Sequence, residues 1–206
     1  MKTRRALLAF GTLCLIAALG LSVYNLASSD RAGSRSASVV DALTPLMTQP
    51  ADEAGDTAEA VPSVPVEEEH PDREMPTVEL DSTRYVGRLE IPRLGLDLPV
   101  AANFSMKQLT QTPALYAGSV YRGDMVIAAH NYNSHFGRLN RLEVGDEVRF
   151  VAADGRVYRY AVGWSEKMSP SASEEMVTDS NWDLTLFTCT YNGKQRFTLR
   201  CVAVGE

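Results

Sequence analysis

Cysteine, histidine and clustered basic residues are scarce in this chain of 206 residues. Three cysteines are too few for a disulfide-dense scaffold. Three histidines, without a helical His-x-x-x-His or a Cys-x-x-Cys spacing, make a poor ligand set, so we expect no metal site. Residues 84–206 carry 14 basic and 13 acidic side chains, which leaves no basic stripe for nucleic acid. These absences leave a nearly neutral segment of ordinary globular composition.

The longest mostly apolar run lies near the amino terminus, directly after three basic residues. It covers the 19 residues from Ala6 to Tyr24, and about 20 apolar residues are needed to cross a bilayer. A cleaved signal peptide is the alternative, but its apolar region is usually about 7–15 residues long and no clear Ala-x-Ala site follows here. We therefore expect residues 1–27 to be a signal anchor with its basic flank in the cytoplasm. Cys14 would then be an apolar membrane residue.

Residues 28–82 have the composition of a flexible extracellular stalk. Serine, alanine and proline are frequent, and residues 50–83 hold eleven acidic and one basic side chain. Such a segment buries too little apolar surface to offset its chain entropy. One exception is 38–47, where apolar residues could line a short helix that Pro45 would bend or end. We expect this stalk to connect the anchor to a folded domain over residues 83–206.

The folded domain is expected to be mainly β-structure. Ser105 is a plausible N-cap for a short helix through Leu109. Many short strands at this spacing, several of them joined by hairpin dipeptides, predict a closed sheet or a sandwich. The expected strands are Tyr85–Ile91, Leu98–Ala101, Met125–Ala129, Val148–Ala152, Val157–Val162, Leu184–Tyr191 and Lys194–Val204.

The last hairpin makes the sharpest prediction about a site. If Asn192-Gly193 forms a two-residue type I′ turn, paired residue numbers sum to 385, and Cys189 faces Arg196. Directly opposed residues have Cβ atoms about 4.5–5.5 Å apart and project from the same face. The sequence therefore places a guanidinium beside a thiol.

Strand alternation divides the side chains of this hairpin between two faces. The mostly apolar set should point into the core, and it consists of Leu184, Leu186, Thr188, Phe197, Leu199 and Cys201. The mixed set should be accessible, and it consists of Thr185, Phe187, Cys189, Arg196, Thr198 and Arg200. Because Cys189 and Cys201 fall on opposite faces and lie far apart along the ladder, we expect no disulfide between them. Arg200 is expected to form a salt bridge or to be solvated.

A nucleophilic thiol needs a base or a cation beside it and a donor for the oxyanion that it creates. His70 lies in the acidic stalk, and His135 lies in a polar loop. His130 directly follows the buried run Val126–Ala129, so a rigid strand would aim it, and its position makes it the candidate base. A structural histidine that caps a strand end is the alternative, and composition alone favours that alternative.

Two segments of the chain resemble the sortase family. Thr185–Cys189 resembles the sortase motif Thr-Leu-x-Thr-Cys, and an arginine follows on the next strand. Ala129–Asn131, with Phe136–Leu139 and Gly145-Asp146 after it, is similar to the histidine segment of that family. The order His, Cys, Arg also agrees, and the residues after the histidine are similar to those of class B members. The resemblance covers roughly residues 83–206.

Membership of this family implies a fold and a mechanism. The fold would be an all-β, closed eight-stranded β-barrel with one or two short helices, after a transmembrane helix and a stalk. Cys189 would attack the threonine carbonyl of a Leu-Pro-x-Thr-Gly type sorting signal and form a thioacyl intermediate. His130 would protonate the departing amine and later deprotonate the incoming one. Arg196 would hold the substrate or the oxyanion, assisted by Thr188 and Thr190.

The resemblance also implies partners and a location. The donor would be a secreted protein with a C-terminal sorting signal, and the acceptor an amine of a cell-wall precursor or a pilin lysine. No cofactor would be needed, because the thioester keeps the energy of the cleaved amide. The protein would be a single-pass membrane protein of a Gram-positive cell, with the catalytic domain outside. A surface cysteine peptidase that passes its acyl group to water, and a non-catalytic tethered binding module, remain alternatives.

Overall fold

A computed structural model describes residues 2–47, 73–172, 176–177, 181–190 and 193–205. His70 and the middle of the expected stalk, residues 48–72, lie outside these ranges. Two 3-10 helices, Pro92–Leu94 and Phe136–Arg141, connect strands. The α-helices are α1 (Lys2–Leu43) and α2 (Met106–Leu109), and the strands are β1 (Val78–Leu80), β2 (Thr83–Ile91), β3 (Leu96–Ala101), β4 (Ala114–Ala117), β5 (Met125–Ala128), β6 (Glu147–Ala152), β7 (Val157–Met168), β8 (Leu184–Cys189) and β9 (Arg196–Ala203).

Eight of the strands close into a barrel. Their order is β2-β3-β4-β5-β8-β9-β7-β6, and a β2–β6 pairing closes the ring. The three residues of β1 add a short edge to β2 from outside the ring. The predicted closed eight-stranded barrel is therefore confirmed. The expected short helix is also present, since the Ser105 hydroxyl accepts a hydrogen bond from the Gln108 amide and caps α2.

The wall of the barrel is apolar on both faces around β5. Met125 and Ile127 point into the interior cluster, whereas Val126 and Ala128 belong to a second cluster outside the wall. This outer cluster also contains Leu43 from the end of α1. A strand covered on both faces needs an unbroken apolar run, which explains the sequence of β5.

The register of the last hairpin agrees with the turn arithmetic. Cys189 pairs with Arg196, and the ladder continues in the same register to Leu184 opposite Cys201. At the turn, the Gly193 amide donates to the Thr190 carbonyl at 2.8 Å. Gly193 has φ of +68°, a left-handed conformation that glycine adopts without steric cost. Tyr191 and Asn192 lie outside the residues that the structure describes.

The accessibility expected for the outer face of this hairpin is wrong over most of its length. Thr185, Phe187, Thr198 and Arg200 are all buried. Met168 and Met176 from the preceding segment pack over them, and the Arg200 guanidinium donates to Glu166 and to Thr185. The salt bridge expected for Arg200 is thus present, but the side chain is not solvated. Alternation fixes which face a residue takes, but it does not show what covers that face.

Helix α1 extends through the first part of the expected stalk. The sequence suggested flexibility from residue 28, with an isolated short helix over 38–47, but the helix is continuous to Leu43. Its buried residues recur at helical spacing, and they are Ser29, Ala32, Ser36, Val40 and Leu43, followed by Met47 after the helix ends. These small and apolar side chains form one stripe that packs against the barrel. This packing stabilises a segment whose composition alone resembles a linker.

The amino-terminal part of α1 has no such cover. Leu7, Phe10, Leu15 and Leu19 are each more than 60% exposed. Within the described ranges, the span Phe10–Leu43 is the one helix long and apolar enough to cross a membrane, with a mean hydropathy of 1.7 in its best window. Apolar surface of this extent is unfavourable in water. The helix therefore fits the expected membrane anchor.

Candidate active site

Parallel pairing of β5 with β8 brings the histidine and the cysteine together. Ala128 pairs with Phe187, and the Ala129 amide donates to the Phe187 carbonyl at 3.2 Å. Extending this register by two residues along both strands aligns His130 with Cys189. Neighbouring strands lie about 4.8 Å apart, and residues two apart share a face. The two side chains therefore leave the same edge of the barrel wall, on its outer face.

A cleft of about 960 Å³ lies at this edge. Four of the five site residues expected from the sequence line it, namely His130, Thr188, Cys189 and Thr190. The fifth, Arg196, is the ladder partner of Cys189. Its guanidinium donates to the carbonyls of Gly193 and Gln195, both at 3.4 Å. The structure thus gathers all five residues in one region.

The thiols of the folded domain have different environments. Cys189 is partly buried and borders the cleft, whereas Cys201 is fully buried on the inner face. Burial raises the pKa of the Cys201 thiol to about 12, so its thiolate is inaccessible at neutral pH. Both cysteines are free. Between these two, only Cys189 is placed to act as a nucleophile.

The His130 imidazole stacks on the ring of Tyr132. Their ring centroids are 4.0 Å apart and the rings are inclined by 15°. Burial lowers the pKa of His130 below its ordinary value of 6.5, which favours the neutral, proton-accepting form at neutral pH. Its buried Nδ1 has no hydrogen-bond partner in the part of the chain that the structure describes. The ring is therefore held by stacking, and its Nδ1 forms no hydrogen bond with the described residues.

The two threonines that flank Cys189 differ in their contacts. Thr188 is buried, and its hydroxyl lacks a hydrogen-bond partner among the described residues. The Thr190 hydroxyl and amide both contact the backbone of Gln195. Because the Thr190 amide already donates to the Gln195 carbonyl at 2.9 Å, its part in an oxyanion site stays a prediction. Thr188 has the freer donor.

Comparison with known proteins agrees with this geometry. The family model for the Sortase domain matches residues 89–206. The chain belongs to the sortase family. Sortase A of Bacillus anthracis is 27% identical over 121 residues, which are 56% of this chain and 57% of that relative. The chain therefore matches little more than half the length of this curated relative.

Solved sortase structures share the fold. Sortase C of Streptococcus pneumoniae superposes with a TM-score of 0.55 at 22% identity, over 62% of this chain and 72% of that one. Sortase C1 of Streptococcus agalactiae gives a TM-score of 0.53 at 25% identity, with the same coverage. These three sortases belong to types A and C by name. The likeness to class B members that the sequence suggested stays a prediction.

Several cleft residues of this sortase were not expected from the sequence. Asn140 lies in the 3-10 helix Phe136–Arg141, and Lys167 lies near the carboxyl end of β7. Strand pairing explains why Lys167 lies at the cleft, because Lys167 pairs with Phe197, and Phe197 pairs with Thr188. Ser22 and Asn25 of α1 also line the cleft. No local sequence pattern indicates that the amino-terminal apolar helix reaches the site.

His135, which the sequence placed in a polar loop, is fully buried against α1. The Ser36 hydroxyl lies 3.1 Å from its Nε2. Burial lowers the pKa of His135 to about 4. The nearby His130 lowers this pKa further by a smaller amount, whereas a hydrogen bond to the Ala32 carbonyl raises it. The ring is therefore neutral at neutral pH and joins the helix to the loop after His130.

The depressed pKa of His135 predicts acid sensitivity. In the unfolded chain this histidine has its ordinary pKa of 6.5, against about 4 in the folded state. Between these values the unfolded state binds more protons, so the stabilisation is complete above pH 6.5 and is lost as pH falls towards 4. A shift of this size corresponds to at most about 3 kcal/mol.

Urea unfolding of the wild type and of His135→Gln across this pH range tests the prediction. Glutamine keeps a hydrogen-bonding group but cannot titrate, so the variant should lose a large part of the pH dependence. If the free energy of unfolding changes with pH equally in the two proteins, His135 does not control acid sensitivity.

Proposed function

We propose that this sortase is a membrane-anchored cysteine transpeptidase that cleaves a C-terminal sorting signal of the Leu-Pro-x-Thr-Gly type. The observation that carries the proposal is the meeting of His130 and Cys189 at one cleft, with Arg196 paired to Cys189. A thiol, a general base and a guanidinium are the groups that acyl transfer through a thioester requires. Family membership supports the same reaction.

Neutral His130 acts first as a base. The Cys189 sulfur attacks the threonine carbonyl, and its proton passes to the imidazole while the carbonyl electron pair moves to oxygen. The carbon–nitrogen bond then breaks, the departing amine takes the proton from His130, and a thioacyl enzyme remains. The lowered pKa of His130 supports its role as acceptor in the first of these transfers.

The tetrahedral oxyanion needs donors. Arg196 is the ladder partner of Cys189, and its guanidinium, which donates to the Gly193 and Gln195 carbonyls at 3.4 Å, would turn towards the oxyanion. The cleft-lining Thr188 offers a buried hydroxyl that lacks a partner among the described residues. Donors held in a partly desolvated site stabilise developing charge more strongly than water does. We assign the role of oxyanion donor to Arg196 first and to Thr188 second. Thr190 would stabilise the turn that precedes Arg196.

An amine completes the reaction. It attacks the thioacyl carbon while His130 accepts its proton. The carbon–sulfur bond then breaks, and the departing Cys189 thiolate takes that proton from the imidazole. The acceptor would be an amine of a cell-wall precursor or a pilin lysine. Polar cleft residues such as Asn131, Asn140 and Lys167 suit an acceptor of this polarity. The basic flank of α1 supports an orientation with the amino terminus in the cytoplasm and the catalytic domain outside.

Mass spectrometry of a sorting-signal peptide incubated with the full chain tests the proposal. We expect a thioacyl adduct on Cys189, and an added amine should capture the acyl group and raise the rate of product formation. Release of the free acid at an unchanged rate with or without amine would instead indicate the hydrolytic peptidase. Binding without cleavage would indicate the tethered binding module.

A further inference from the structure

Helix α1 contacts the loop that follows His130 at three points. The Ser134 hydroxyl donates to the Ser29 carbonyl at 2.6 Å, and the Ser36 hydroxyl meets His135 Nε2 at 3.1 Å. Between them, Gly33 lies directly against Ser134, since a methyl group added at Gly33 would be 2.8 Å from Ser134 Cβ. The helix backbone therefore rests on the loop without room for a larger side chain.

The same loop holds the His130 ring. Tyr132 stacks on His130 at 4.0 Å, and its other neighbour is the His135 ring at 5.7 Å. The His135 amide also donates to the Tyr132 carbonyl at 3.0 Å. A continuous chain of contacts thus runs from Ser36 through His135 and Tyr132 to the imidazole at the cleft.

On the amino-terminal side of these contacts, α1 forms part of the cleft itself. Ser22, Asn25, Leu26 and Ser29 line it together with His130 and Cys189. These residues lie around the point where the apolar run ends, at Tyr24. The helix that anchors the protein therefore continues, without interruption, into the wall of its cleft.

We propose that α1 is a working part of the active site, in which Gly33 and Ser36 position His130 through Tyr132 and His135 while residues 22–26 wall the cleft. This inference rests on the proposed function. Gly33, Ser36, Tyr132 and His135 are positioning residues, because they act through His130. A small displacement of a catalytic group is enough to slow chemistry, by up to about 100-fold for 1 Å.

The chain offers matched pairs of variants for the test. Gly33→Ala introduces the clash with Ser134, whereas Gly20→Ala changes the same helix at a position with no atom within 4 Å. Alanine is the better helix former, so neither change weakens α1 itself. Ser36→Ala removes the contact to His135, whereas Ser38→Ala changes an exposed serine whose hydroxyl donates only within the helix, to the Arg35 carbonyl.

The measurement is transpeptidation of a sorting-signal peptide by the full chain in detergent, with kcat, KM and the pH profile of kcat/KM. We expect Gly33→Ala and Ser36→Ala to lower kcat by about 10- to 100-fold with KM nearly unchanged. The acidic limb of their pH profiles should move towards the ordinary histidine pKa, because the ring loses its buried position. Gly20→Ala and Ser38→Ala should match the wild type.

Three results would overturn the proposal. Equal kinetics in all four variants would show that α1 does not position His130. Equal losses in all four would mean a general effect of altering the helix. Faster turnover in Gly33→Ala would mean that the helix obstructs the cleft. If Gly33→Ala does not fold, Ser36→Ala decides alone, and an inactive wild type would refute the proposed function instead.

Discussion

Replacement of Cys189 by alanine is expected to abolish both cleavage of a sorting-signal peptide and formation of the thioacyl adduct. The variant removes the one sulfur of the folded domain that borders the cleft, and removal of a nucleophile costs on the order of 10⁴–10⁶-fold in kcat. Because the side chain is only partly buried at a strand end, the barrel should keep its thermal stability. Turnover and the intact mass of the protein after incubation with peptide are the measurements.

Cys201→Ser, in the paired strand β9, is the matched control. Cys201 faces Leu184 in the ladder and lies in the interior, away from the cleft, so activity should be retained wherever the variant folds. Full turnover in Cys189→Ala would remove the transpeptidase and peptidase readings together. It would mean that cleavage does not use this thiol.

Replacement of His130 by alanine should cost about 10²–10⁴-fold in kcat, since proton transfer by a positioned side chain contributes in that range. The imidazole would carry the proton from the thiol to the departing amine, and His130 is the one histidine in the described lining of the cleft. Tyr132 would lose its stacking partner, but the barrel should remain folded. Steady-state kinetics and far-ultraviolet circular dichroism are the two readings.

Two further measurements make this result specific. Added imidazole should restore part of the rate in His130→Ala, because it can enter the vacated space and carry the proton. His70→Ala changes the histidine of the acidic segment, and it should behave like the wild type. A His130→Ala enzyme with normal kcat would show that the histidine at the strand end has only a structural role.

The pairing of Cys189 with Arg196 could be predicted from the sequence because the information is local. The Asn192-Gly193 dipeptide sets a short turn, and strand alternation then dictates that Cys189 and Arg196 share a face. The ladder has that register. The position of His130 was also local information, since it directly follows a run that is buried on both sides of the sheet. Such signals depend on the chain within about ten residues of each site.

What covers each face could not be predicted in the same way. The outer side of β8 and β9 was expected to be accessible, but residues from the preceding segment close over Thr185, Thr198 and Arg200. Likewise, serine and alanine in residues 28–43 suggested a linker because their hydrophobicity is low. They pack because small side chains let the helix approach Ser134 and His135, which a composition count does not register.

The sequence by itself thus determined the family, and through that resemblance the closed barrel, and it determined the pairing of Cys189 with Arg196. These follow from periodicity, turn chemistry and motifs in which neighbouring residues interact. Only the tertiary structure decided that β5 and β8 align His130 with Cys189, and that α1 lies against the histidine loop. Those contacts join residues up to about one hundred positions apart, such as Ser29 with Ser134. They depend on complementary shape and hydrogen bonding between surfaces that exist only once the chain has folded.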